Sequence, residues 1–105
     1  MSISESAVKA FAEGKQCTAR IPGVCSYDPG TTVWCHINSV RWGSGKGFKS
    51  PILCGFIGCR DCHDAVDGRM KKDKNGDHLD PEFVRLCAYE AHMESLYLLD
   101  QAGIT

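Results

Sequence analysis

Cys59-Arg60-Asp61-Cys62-His63 sets two thiols three residues apart and an imidazole directly after the second. Two thiolates at this spacing, at a turn entering a helix, can both reach one tetrahedral ion at about 2.3 Å. The remaining pair must come from the other five of the seven cysteines. Cys17 and Cys25 flank a turn-rich segment, Thr18 to Val24, and can converge, although their separation exceeds the usual two to four residues. Cys35 lies inside a strand-like run, and Cys54 and Cys87 have apolar neighbours that suit simple packing. Cys17, Cys25, Cys59 and Cys62 are therefore the expected ligands of a structural Zn2+. A thiol-disulfide redox site would also use Cys-x-x-Cys, but the surrounding βαβ pattern is missing. Such a zinc site supplies about 10 kcal/mol or more of apparent folding free energy. That would offset a core diluted by eleven glycines.

His63 takes its position from Cys62, and Asp67 follows at i+4 on the same helix face. Together they offer a nitrogen and a carboxylate oxygen to a second divalent cation. Asp64 is turned about 100° away and is the poorer ligand. His36 ends the run Val33-Trp34-Cys35-His36. If that strand packs on the helix, an imidazole faces a held cation, the pairing that phosphodiester hydrolysis requires: a base for water and a Lewis acid on the phosphoryl oxygen. On the residues alone another reading stands level, with His36 capping a loop and His63 a mere neighbour of the zinc site.

Charge is distributed unevenly. The formal net charge is −1, yet residues 15 to 74 hold ten Lys/Arg against five acids, while residues 75 to 105 hold Arg85 against six. The middle can face a phosphate backbone and the tail cannot. The opening residues lack a basic segment followed by an apolar one, and no run approaches the roughly 18 apolar residues of a membrane span. A soluble cytoplasmic protein is expected, in a compartment where clustered cysteines bind metal more often than they pair.

The elements that must position these groups can be read from periodicity and punctuation. Ser4 to Glu13 reads as a short capped helix with Val8, Phe11 and Ala12 on one stripe. Thr31 to Ile37 is a strand and Ile52 to Ile57 its returning partner. The glycine-rich stretch Gly43 to Gly47 lacks the context of a phosphate-binding loop. A helix is expected from Asp61 or Cys62 to about Met70, then a charged turn containing Asn75-Gly76. Asp80-Pro81-Glu82 opens the clearest helix, about 80–102. Phe83, Leu86, Tyr89, Met93 and Leu96 form its expected core stripe, leaving His78, Cys87 and His92 as structural or surface residues. Leu98, Leu99 and Tyr97 spread apolar surface over further faces, which suits a homodimer through this helix.

The order Cys17-x7-Cys25, then Val33-Trp34-Cys35-His36-Ile37, then Gly58-Cys59-Arg60-Asp61-Cys62-His63-Asp64 resembles the HNH or ββα-metal (His-Me finger) nucleases that carry a zinc-binding cysteine quartet. The fuller strings QCTARIPGVC, TTVWCHI and CRDCHDAVDGR are closer still to a family of small phage and prophage nucleases, the YbcO-like proteins. The resemblance implies an α+β fold in which a single domain, 1–105, holds a zinc-stapled HNH-like core over about 15–70. It further implies a metal-dependent DNA endonuclease of phage or prophage recombination or processing. His36 would take the general-base position, and His63 with Asp67 would hold Mg2+, Mn2+ or Ni2+. Arg41, Lys46, Lys49, Arg60, Arg69 and Lys71 are the expected phosphate contacts. Cys35 stands where many such enzymes carry an acid, and Ile52 to Ile57 offers no Asn or Asp to orient His36; Asn38 or Ser39 would have to serve. The alternative is a non-catalytic zinc module that binds DNA or protein.

Overall fold

A computed structural model describes residues 3–37 and 51–105. Asn38, Ser39, Arg41, Lys46, Lys49 and the stretch Gly43 to Gly47 lie outside the described residues. The elements in chain order are α1 (Glu5–Ala12), a 3-10 turn (Pro29–Thr31), β1 (Val33–His36), β2 (Gly55–Gly58), α2 (Arg60–Val66) and α3 (Pro81–Gln101). This is an α+β arrangement of three helices around a two-stranded sheet.

α1 and α3 start on the caps their sequence announces. Ser4 accepts from the Ala7 N–H and Asp80 from the Glu82 N–H, with Pro81 in the first turn of α3. Cys59 caps α2, its sulfur accepting from the Cys62 N–H. α2 is shorter than its periodicity suggests and stops at Val66. Gly68 adopts a φ of 81° there, and the N–H groups of Gly68, Arg69 and Met70 turn back onto the carbonyls of Ala65 and Asp64. This reversal satisfies the last carbonyls and ends the helix. The second strand is displaced too. Ile52 and Leu53 lie in a turn, and β2 runs from Gly55 to Gly58, where glycines allow close approach. A Cβ on Gly55 would collide with the Cys35 carbonyl and the Trp34 indole.

β1 and β2 pair antiparallel, Trp34 opposite Ile57 and Cys35 opposite Phe56. Alternation sends Cys35 and Phe56 into one cluster with the zinc-site cysteines, Ala65, Val84 and Ala91. Trp34 and Ile57 go to the other face, under Val8, Ala12 and Leu99. A two-stranded sheet is marginal by itself; here α3 runs along its outer edge and completes it. The Ile57 N–H donates to Ser95 Oγ at 2.8 Å, and the Ile57 carbonyl accepts from the Thr18 N–H at 2.8 Å and its hydroxyl at 2.7 Å. Two residues earlier, the Gly55 carbonyl accepts from His92 Nδ1 at 2.7 Å.

The face of α3 that makes these contacts is the one with small residues. Val84, Ala88, Ala91, Ser95 and Leu99 are buried, whereas Phe83, Leu86, Tyr89 and Met93 are exposed, as is Tyr97. The expected core stripe therefore points outward except at Leu96, which with Leu98 packs against the cluster around the buried Leu99. Hydrogen bonding between helix and strand edge demands close approach, which Ala91 and Ser95 permit and Phe or Met would not.

Ser95 also donates to the Ala91 carbonyl at 2.7 Å, so its hydroxyl links α3 to β2 inside the core. Ser95→Ala leaves the Ile57 N–H buried without an acceptor and should cost about 1–3 kcal/mol. Urea unfolding measures this; an unchanged midpoint would contradict the edge-sealing role.

Candidate functional site

Four buried sulfurs meet where β2 passes into α2. The Sγ atoms of Cys17, Cys25, Cys59 and Cys62 all lie within 4.8 Å of one another, and those of Cys59 and Cys25 are 3.9 Å apart. A regular tetrahedron with bonds of about 2.3 Å has sulfurs about 3.8 Å apart. The donor set and its spacing thus fit an ion such as zinc. The long separation of Cys17 from Cys25 is taken up by a turn in which the Val24 and Cys25 N–H groups both donate to the Ile21 carbonyl.

The backbone is bent to serve the sulfurs. Arg20 and Tyr27, neither of them glycine, have φ values of 45° and 55°, a conformation that costs energy for such residues. At Tyr27 the distortion aims the N–H at Cys25 Sγ, 3.4 Å away; the Arg20 N–H likewise serves Cys17. Such bonds favour thiolates. Within the crowded quartet, a hydrogen bond from Cys62 lowers Cys17 to about 4, and the same bond pushes Cys62 up. Burial raises Cys25 to about 11. One thiolate is thus readily available, and a bound cation would stabilise the others.

Cys35 remains apart from this group. It is fully buried, burial pushes its thiol up, and its S–H faces the Gly58 carbonyl at 3.5 Å. Cys54 and Cys87 are half-buried and likewise outside the quartet.

His63 and Asp67 do meet across one turn of α2: Nε2 and Oδ2 are 3.3 Å apart, both side chains largely shielded. Ligands on neighbouring positions of an octahedral ion with bonds of about 2.1 Å sit about 3 Å apart, so the pair could share a cation. The same Oδ2 is 3.0 Å from Arg69 Nη2, and Arg69 also reaches Asp64 at 3.1 Å. Arg69, expected on phosphate, is engaged by two carboxylates. Among the described residues no third ligand joins His63 and Asp67 in a metal-binding group. His36 is the half-buried last residue of β1, opposite Gly55. Arg60 and Lys71 are exposed.

The family described as "Putative nuclease YbcO" matches residues 6–104. The chain belongs to the YbcO family. Relatives named "Putative nuclease YbcO", from Escherichia coli strain K12 and from Enterobacteria phage 82, are each 38% identical over 97 residues, 92% of this chain and 94% of theirs. A solved structure of "a putative bacteriophage protein" from Escherichia coli K-12 MG1655 aligns with a TM-score of 0.73 at 30% identity, covering 90% of this chain and 98% of that one. The YbcO match thus spans the cysteine quartet, both histidines and α3 together.

Sequence reasoning found the four sulfurs and the His63–Asp67 pair but missed how the sheet edge is sealed by Thr18, His92 and Ser95. The signal was available: Ala88, Ala91 and Ser95 recur at helical spacing.

Cys59→Ser should remove the metal and unfold the protein, whereas Cys35→Ala should keep one zinc per chain. Elemental analysis with circular dichroism on both variants decides this; a folded, zinc-loaded Cys59→Ser would contradict the ligand assignment.

Proposed function

We propose that this protein is a metal-dependent DNA endonuclease of the HNH type, acting in phage or prophage DNA recombination or processing. The observation that carries the reading is the sulfur quartet at the β2–α2 junction. It fixes the first turn of α2, and with it His63 beside Asp67, in a chain whose family is named for nucleases. The order β1, β2, α2 supports a ββα site.

A divalent cation such as Mg2+, Mn2+ or Ni2+, held by His63 and Asp67, would polarise the phosphoryl oxygen and stabilise the leaving oxygen. His36 acts as the general base, its imidazole taking a proton from the attacking water. Cys35, buried and turned to the Gly58 carbonyl, is no substitute for the acid that many HNH enzymes place before the base, so the protein ligands of this cation come from α2. β2 carries no Asn or Asp, so a carboxamide orienting His36 has to come from elsewhere, such as Asn38. Arg41, Lys46, Lys49, Arg60 and Lys71 grip phosphates, with Arg69 joining them if its carboxylate partners turn to the cation. Affinity then falls steeply with salt. The acidic end of α3, with Glu94 and Asp100, stays clear of the backbone.

The outward stripe of α3 also supports pairing of two copies. Phe83, Leu86, Met93 and Tyr97 form an exposed apolar row of the kind that marks an interface. Glu82, Glu90 and Asp100 accompany it, so self-pairing should tighten as salt screens the acids, opposite to DNA binding.

Two experiments test these readings. Plasmid and branched DNA should be nicked in Mg2+, Mn2+ or Ni2+ by wild type, and His36→Ala should lower the rate by about 100-fold or more; equal cleavage by both, or none by either, defeats the enzyme reading. Light scattering should give a dimer that Met93→Glu converts to a monomer, and a monomeric wild type at high salt would remove the dimer.

A further inference from the structure

An open cleft of about 720 Å3 lies between the end of α2 and the first half of α3, within the range of about 300–1,000 Å3 typical of small-molecule sites. Its floor is apolar, with Ala65, Val84 and Ala88 buried. Tyr89 forms a wall and is 48% exposed. Among the described residues the charged lining ones are Lys71 and Arg85, with His78 beside them, and no carboxylate lines the cleft. None of the three enters an ion pair among the described residues. Within the acidic stretch 75–105, Arg85 is the one Lys or Arg, and it lines this cleft.

We infer that the cleft seats one unpaired nucleotide of a DNA substrate, its base against Tyr89 and the apolar floor and its phosphate between Lys71 and Arg85. An aromatic ring beside unpaired cations over an apolar floor is how proteins hold bases that have left the stack. A duplex is convex and keeps its bases stacked, so it cannot enter. A purely apolar ligand would leave the two cations without a partner.

The position fits the chemistry. The lining residues Val66 and Gly68 bracket Asp67. Successive Cα atoms are about 3.8 Å apart, so a nucleotide seated here borders the carboxylate proposed to hold the cation. The inference rests on the nuclease reading and names its substrate class: forked or single-stranded DNA over blunt duplex.

The test is fluorescence anisotropy with labelled forked, single-stranded and blunt duplex DNA of one sequence, with no divalent cation added, so that binding is read without cleavage. Wild type should bind fork and single strand about tenfold tighter than duplex. Tyr89→Ala and Tyr89→Leu should each lose about tenfold on the first two and nothing on duplex. Arg85→Ala should weaken fork binding and reduce its salt slope by about one. Thermal melting confirms that the exposed substitutions leave the fold intact. Equal affinity of wild type for all three DNAs, or equal loss on all three in Tyr89→Ala, overturns the inference. A wild type that nicks DNA while Tyr89→Ala binds forks normally removes the nucleotide seat and leaves the nuclease. Tyr89-dependent fork binding without cleavage in any metal does the reverse.

Discussion

Four sulfurs drawn to one point hold this molecule together. The sheet has two strands of four residues each, and the core is split into two small clusters on its opposite faces. The irregular segment between α1 and β1 buries Ile21 and Val24 in one of them, and the quartet ties its Cys17 and Cys25 to the turn that opens α2, with left-handed backbone at Arg20 and Tyr27. An ion bound by the four sulfurs would return more than that strain costs.

The same tie connects scaffold to chemistry. Cys62 is both a quartet sulfur and the residue before His63, so whatever fixes the first also aims the second. A single turn of helix then brings Asp67 to His63. The cleft lies at the far end of this short helix, where Gly68 reverses the chain and leaves space against α3. The proposed reacting groups and nucleotide seat thus follow the quartet along α2 and the turn after it, with Cys62, His63, Asp67 and Gly68 within seven residues of sequence.

Much of this was legible in the sequence wherever chemistry restricts residue choice. Thiol spacing identified the quartet, and capping residues placed the starts of α1 and α3. Legibility failed where packing chose between faces that look equally apolar. In α3 the large residues form the more conspicuous stripe, yet the edge of β2 needs a face that comes close and hydrogen-bonds, so Ala91 and Ser95 turn inward and Met93 outward. The strand shift from Ile52–Ile57 to Gly55–Gly58 has the same origin, since glycine permits the close pairing that propensity alone would not suggest. His36 and His63 could be singled out by type and neighbourhood, whereas the cleft joins residues from distant segments with no common motif.

X-ray absorption at the zinc edge on protein purified without added metal addresses the central claim most directly. One zinc per chain with four sulfur neighbours at about 2.3 Å and no nitrogen is the predicted result. A first shell containing nitrogen or oxygen, or protein that is folded and free of zinc, would contradict it.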